Sequence, residues 1–275
     1  MNWMLPAQQL GRRLQGPACA NRNCSYSAWE RWRSRHSGVL LDGRWYCSES
    51  CLKVALQLTV SQGSHSTRKG SDSAHRLPLG LLLFSRGIID QQDLARALQM
   101  KADDPQARIG ECLCQLGRIT EEQVTRAVGM QNGLPVLIGY QPRLERLVPV
   151  RLQEAADACC FRTTRSPAIL FVGFSVVVDP SLVRAIESIL GTTVEPCVLP
   201  SCVVKERLRS LADIDSREVV FETPMRRTEM IDSICSYAKQ LGAEFLRVAR
   251  TRDYLWIRLQ SGISHDLLFR LAEEN

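Results

Sequence analysis

The chain has few aromatic residues, only four histidines, and no apolar run long enough to cross a bilayer. The longest apolar run, Ala168 to Val178, spans eleven residues and suits a buried strand. No apolar segment follows Arg12 and Arg13, so no secretory signal is expected. Several signatures of chemistry are missing as well. There is no Gly-x-x-x-x-Gly-Lys-Ser/Thr phosphate loop, no His-Glu-x-x-His and no Gly-x-Ser-x-Gly. The chain is therefore expected not to be an enzyme.

What is present is cysteine and unevenly placed charge. Eleven cysteines without a secretory signal are expected to be thiols or metal ligands in a reducing cytoplasm. The net charge of +6 lies wholly in the first quarter: residues 1–75 hold ten Lys/Arg and four Asp/Glu, and residues 76–275 hold twenty-five of each. Such an excess can attract nucleic acid or another anionic surface, or can be a solvated basic face.

Residues 1–18 read as a tail, residues 19–57 as a small Cys-rich head, and residues 58–75 as a flexible Ser- and Gly-containing linker. In the head, Cys19 and Cys24 are separated by four residues, and Cys47 and Cys51 by three. Between the pairs lies a hairpin pattern, Gly38–Tyr46, with Asp42-Gly43 as its turn. A helical stretch follows Cys51. A Cys pair, a hairpin and a second Cys pair at a helix start make the ligand pattern of a treble-clef site, in which four thiolates surround a tetrahedral Zn²⁺. The segment Trp45-Tyr46-Cys47-Ser48-Glu49-Ser50-Cys51 resembles FCS-type zinc fingers. So small a head has little apolar surface of its own, so metal would supply folding energy. His36 could replace one ligand, although a surface position suits it better. Trp29, Trp32 and Trp45 sit among Arg31, Arg33, Arg35 and Arg44. They could stack on nucleic-acid bases or cover the metal core, and the second reading is preferred here.

Residues 76–133 contain a repeat at an offset of 30. Gly80, Leu83, Gly87, Ile89 and Ala97 recur as Gly110, Leu113, Gly117, Ile119 and Ala127. Each copy reads as a short helix, a glycine stop and a second helix. Gly87 and Gly117 are placed to end helices in the left-handed conformation. Asp90 and Thr120 then cap the next helix, with Asp93 and Gln123 in capping-box spacing. The expected result is a four-helix module. Residues 134–212 follow as an α/β module: strand Ala168–Phe174, helix Pro180–Leu190, strand Val194–Leu199 and helix Ser201–Leu211. Residues 213–275 give a C-terminal α/β module: strand Glu218–Phe221, helix Arg227–Leu241, strands Phe245–Arg250 and Tyr254–Leu259, and a final helix or strand. The fold class is thus multi-domain α+β. Cys112/Cys114 and Cys159/Cys160 read as core thiols in helical segments, and Cys197 and Cys202 as buried thiols rather than a second metal pair.

The two copies, Pro78–Lys101 and Arg108–Gln131, resemble the N-terminal domain of type II secretion protein E and type IV pilus assembly ATPases. Asn132–Val136 and Val178–Val198 extend the likeness, which covers residues 76–212 and leaves the ATPase half unrepresented. The resemblance implies a partner in secretion or pilus machinery. Some members bind cyclic di-GMP at the repeat, which would place ligand contacts at Arg108, Ile109, Gly110, Leu113, Gly117 and Gln131 in the second copy. In the first copy they would fall at Leu79, Gly80, Leu83, Gly87 and Lys101. Two departures weaken the first half-site: Pro78 stands where the pattern has arginine, and Lys101 where it has glutamine. An arginine fork suits a guanine edge or a phosphate, and leucines at helical spacing give a purine an apolar wall. Three readings follow: a non-catalytic regulator or adaptor, a nucleic-acid-binding protein acting through residues 1–57, and a stand-alone cyclic-dinucleotide receptor. The repeat could also be no more than a helical docking module.

Overall fold

A computed structural model describes residues 18–62, 76–139, 143–144, 147–163, 168–212 and 217–272. The expected tail through residue 17, and residues 63–75 of the expected linker, lie outside these. The described residues are mixed α and β, with ten α-helices and two sheets among them. They begin with α1 (Ala28–Arg33), β1 (Val39–Leu41), β2 (Arg44–Tyr46) and α2 (Glu49–Gln62). Next come α3 (Leu79–Ser85), α4 (Gln91–Asp103), α5 (Ile109–Gln115), α6 (Glu121–Asn132), β3 (Arg143–Leu144) and α7 (Val150–Ala155). Then follow β4 (Ala158–Arg162), β5 (Leu170–Phe174), α8 (Pro180–Leu190), β6 (Val194–Val198) and α9 (Ser201–Ala212). The last elements are β7 (Glu218–Phe221), α10 (Arg227–Gln240), β8 (Phe245–Arg250), β9 (Tyr254–Ser261) and β10 (Ile263–Arg270).

These elements divide into two compact units. One joins residues 1–67 to residues 217–275, and the other holds residues 68–216. The first unit brings together the Cys-rich head and the C-terminal segment, which are far apart in sequence. Its six strands run in the order β2-β1-β8-β9-β10-β7. The head hairpin turns at Asp42 and Gly43, both at positive φ (47° and 78°), as a two-residue loop of twisted strands requires. Its strand β1 pairs parallel with β8, placing Leu40 beside Phe245 and Leu41 beside Leu246. Helices α2 and α10 pack against each other and share one core with the sheet: Leu52, Ala55 and Leu56 meet Ile231, Ile234 and Ala238 above Leu246, Ile257 and Leu267. Lys53 adds an ion pair to Asp232 at 2.8 Å. Helix α2 continues to Gln62, so the first five residues of the expected linker are helical. The chain end that could be helix or strand is the eight-residue strand β10.

In the second unit, α3–α6 are the four helices of the repeat. Gly87 and Gly117 end α3 and α5 at φ 66° and 67°. Asp90 and Thr120 cap α4 and α6, accepting hydrogen bonds from the Asp93 and Gln123 N–H groups. Leu83, Ala97, Leu113 and Ala127 form the repeat's core, the same positions in each copy. Beyond the left-handed Gly133 cap, Val136 forms a parallel bridge with Val198, tying the repeat to the sheet β3-β4-β5-β6. Strands β4 and β5 are antiparallel, and α8 crosses over to make β6 parallel to β5. Cys159 and Cys160 lie in β4, not in a helix. Four of its five residues are buried, so its sequence lacks the alternation of a half-exposed strand. Cys112 and Cys114 are helical, as expected.

Candidate functional site

The first candidate site is the cysteine cluster. Cys47 closes β2 and Cys51 sits in the first turn of α2, so one hairpin end and one helix start present two sulfurs. Cys19 and Cys24 flank a turn organised by Asn21, whose side-chain oxygen accepts from the Asn23 N–H and whose carbonyl accepts from the Cys24 N–H. The Ala20 N–H donates to the Trp45 carbonyl at 2.8 Å, pinning this loop to the hairpin. The four sulfurs lie within 4.8 Å of one another, with Cys24–Cys47 at 3.4 Å and Cys47–Cys51 at 3.9 Å. A tetrahedron of Zn–S bonds near 2.3 Å has edges of about 3.8 Å, so the donor set fits a closed four-thiolate metal site.

The local electrostatics split the sulfurs. Burial and the neighbouring thiols push the Cys47 thiol well up, and burial raises Cys19. Burial also opposes ionisation of Cys51, but hydrogen bonds from Ser48, Asn21 and the other thiols bring it down to about 7. The Asn21 amide donates to the Cys51 sulfur at 3.2 Å, an outer contact that sequence reading did not single out. Trp45 is half-buried against this core, but Trp29 and Trp32 are 62% and 44% exposed. They do not cover the metal core, contrary to the preferred sequence reading. The reason is local: α1 is capped by its own Ser27–Glu30 box and has no fully buried residue. Cys197 is buried and Cys202 exposed. Among the described residues only the four head cysteines form a metal-sized group. The side chain of His36 is outside the description.

The second candidate site is a cavity of about 650 Å³ in the other unit. Arg108, Ile109, Gly110 and Gln131 of the second copy line it, together with Leu79 and Lys101 of the first. More of its wall comes from α5 and α6 of the second copy, Val124 and Val128 among them, and the rest from the α/β part through Ser175–Val177, Ser201, Cys202 and Lys205. Leu83 and Leu113 are fully buried beneath, and Gly80, Gly87 and Gly117 do not reach the cavity. The glycines at the two repeat starts answer to packing. A Cβ on Gly80 would meet Leu94 at 2.8 Å, and one on Gly110 would meet Val124 at 2.9 Å.

Several polar groups of this cavity already have partners. Arg108 ion-pairs with Asp157, in the left-handed turn between α7 and β4 (φ 46°). The Gln131 amide donates to the Leu77 carbonyl at 2.7 Å. The Glu121 carboxylate accepts from the Cys202 N–H at 2.7 Å, occupying the start of α9, while Lys205 lies 3.8 Å from Glu111. Lys101 has no ion-pair partner among the described residues. Asp157 and Lys205 were invisible to motif reading, because each reaches the repeat only through the tertiary fold; Glu121 lies in the repeat, but its partner at the start of α9 does not.

Part of this chain is similar to a type IV pilus assembly ATPase. The protein is PilB of Thermus thermophilus, 22% identical over 122 residues, which are 43% of this chain and 14% of PilB. Among solved structures, one of MshE with cdg (cyclic di-GMP) is 24% identical with a TM-score of 0.38, over 49% of this chain and 99% of that one. The N-terminal domain of XpsE is 17% identical with a TM-score of 0.36, over 52% of this chain and 97% of that one. No family model matches the chain. No helix among the described residues is long and apolar enough to cross a membrane.

Proposed function

We propose that this chain is a cytoplasmic, non-catalytic regulator or adaptor of secretion or pilus machinery. Its repeat would bind a guanine dinucleotide of the cyclic di-GMP class, and its cysteine cluster would hold a structural Zn²⁺. The observation that carries the ligand reading is the shared cavity: Arg108, Ile109, Gly110 and Gln131 meet Leu79 and Lys101 of the other copy around one apolar space. The valines and leucine give a flat base its wall, the guanidinium offers two parallel donors to a guanine edge, and the ammonium suits a phosphate.

The Arg108–Asp157 pair sets the sign of the test. Both side chains are about 40% exposed, so the pair is worth at most about 1 kcal/mol. A bidentate guanine contact is worth about 1–3 kcal/mol and wins the guanidinium from Asp157. Titration calorimetry with cyclic di-GMP should therefore show a loss of that size in Arg108→Ala. Asp157→Asn, which tolerates the left-handed backbone, should bind more tightly because the guanidinium no longer has to leave a carboxylate. Pro78→Arg should also tighten binding by restoring the second fork. Equal affinity in the wild type and Arg108→Ala would move the ligand away from this cavity. No heat in any of the four proteins at millimolar nucleotide would leave the repeat a packing module.

The lack of a phosphate loop gives the second expectation: purified protein should not turn over ATP or GTP. Steady phosphate release that survives repurification and follows the protein peak would overturn the non-catalytic reading.

A further inference from the structure

We propose that α1 and its flanks form a binding face for single-stranded nucleic acid, with Trp29 and Trp32 as stacking platforms. The proposal is independent of the cavity in the other unit. Trp29 and Trp32 are three residues apart on one helix, so their indoles project from the same side. Their axial separation is about 4.5 Å, near the rise of about 3.4 Å between successive nucleotides of a stacked strand. Both rings are exposed, and Tyr26 beside them is 38% exposed. No residue of the helix is fully buried, so neither tryptophan serves as a core side chain.

Charge complements the rings. The Arg33 guanidinium lies 4.9 Å from the Trp29 ring centroid, and that of Arg35 5.9 Å from the Trp32 centroid. Arg22 and Arg44 are exposed on the neighbouring loop and hairpin. The one acid in the helix, Glu30, is used internally, accepting from the Ser27 N–H at 2.7 Å. Indoles that each carry a guanidinium over one face suit a chain of alternating bases and phosphates, since every base has a π-face and every linkage a negative charge. A duplex hides its base faces in the stack and would offer only phosphates. A membrane surface asks for a continuous apolar face, whereas this helix offers two indoles among Ala28, Glu30, Arg31 and Arg33.

The test is fluorescence anisotropy of the full chain with a labelled oligo(dT), a labelled duplex of equal phosphate number, and vesicles containing anionic lipid. Oligo(dT) should bind best, with quenching of tryptophan emission and an affinity that falls steeply with salt. Trp29→Ala and Trp32→Ala should each weaken oligo(dT) binding by at least about fivefold, and Arg33→Gln should weaken it while flattening the salt dependence. Because α1 has no fully buried residue, these variants should keep the wild-type melting temperature and metal content, and both are measured alongside. Unchanged oligo(dT) affinity in Trp29→Ala/Trp32→Ala, equal binding of the duplex, or preference for vesicles would each overturn the proposal.

Discussion

With Zn²⁺ at the cysteine cluster as proposed, Cys47→Ser is expected to strip the chain of that metal and to loosen both ends of the sequence together. Cys47 is 2% exposed and belongs to the same core as Leu56, Ile234 and Phe269. Losing this ligand leaves three thiols around a site that needs four, and the buried hydroxyl brings no compensating charge. Isolated zinc-finger peptides draw about 10–16 kcal/mol of folding free energy from the metal. Here a hydrophobic core shares that task, so a loss on the order of 5 kcal/mol is expected. Metal analysis should fall from about one zinc per chain to none, and hydrogen exchange should quicken in residues 18–62 and 217–272 alike. Cys202→Ser is the control, since Cys202 is exposed and outside the cluster. Acidification should release the metal as protons displace it from thiolate sulfur. One bound zinc and an unchanged melting temperature in Cys47→Ser would remove the cluster as a metal site.

Leu56→Ala tests the joint core without touching the cysteines. Leu56 is fully buried on α2, between α10 and the sheet. Truncating a buried leucine costs about 2–5 kcal/mol, the lost transfer energy plus the cavity left behind. If head and C-terminal segment fold as one cooperative body, that loss should appear as faster amide exchange in β8, β9 and β10 as well as in α2. Exchange that accelerates only in residues 18–62 would show two separately folding pieces and contradict the shared core.

Much of the local architecture was legible because short-range chemistry encodes it. The Asp42-Gly43 turn, the glycine stops at Gly87, Gly117 and Gly191, and the caps at Asp90 and Thr120 stand where sequence reading placed them. Strands β5–β9 and helices α8–α10 came within two residues at most ends, since each is a periodic apolar pattern between punctuating residues. Strand β4 was missed for a physical reason: buried on both faces, it shows neither period 2 nor period 3.6. The tryptophans of α1 were misplaced because composition cannot tell an indole that covers a core from one that faces water.

By itself the sequence determined the two cysteine pairs, the doubled helical hairpin and the elements from β5 to β9, all matters of spacing within about thirty residues. Only the tertiary structure decided that β1 pairs with β8, more than two hundred residues away, and that the head's helix shares its core with α10. Only it set Asp157 against Arg108 and Glu121 against the start of α9. A strand edge or an unpaired charge shows in sequence as a need for a partner. Which partner meets it depends on how the whole chain buries its apolar surface, and no local pattern carries that information.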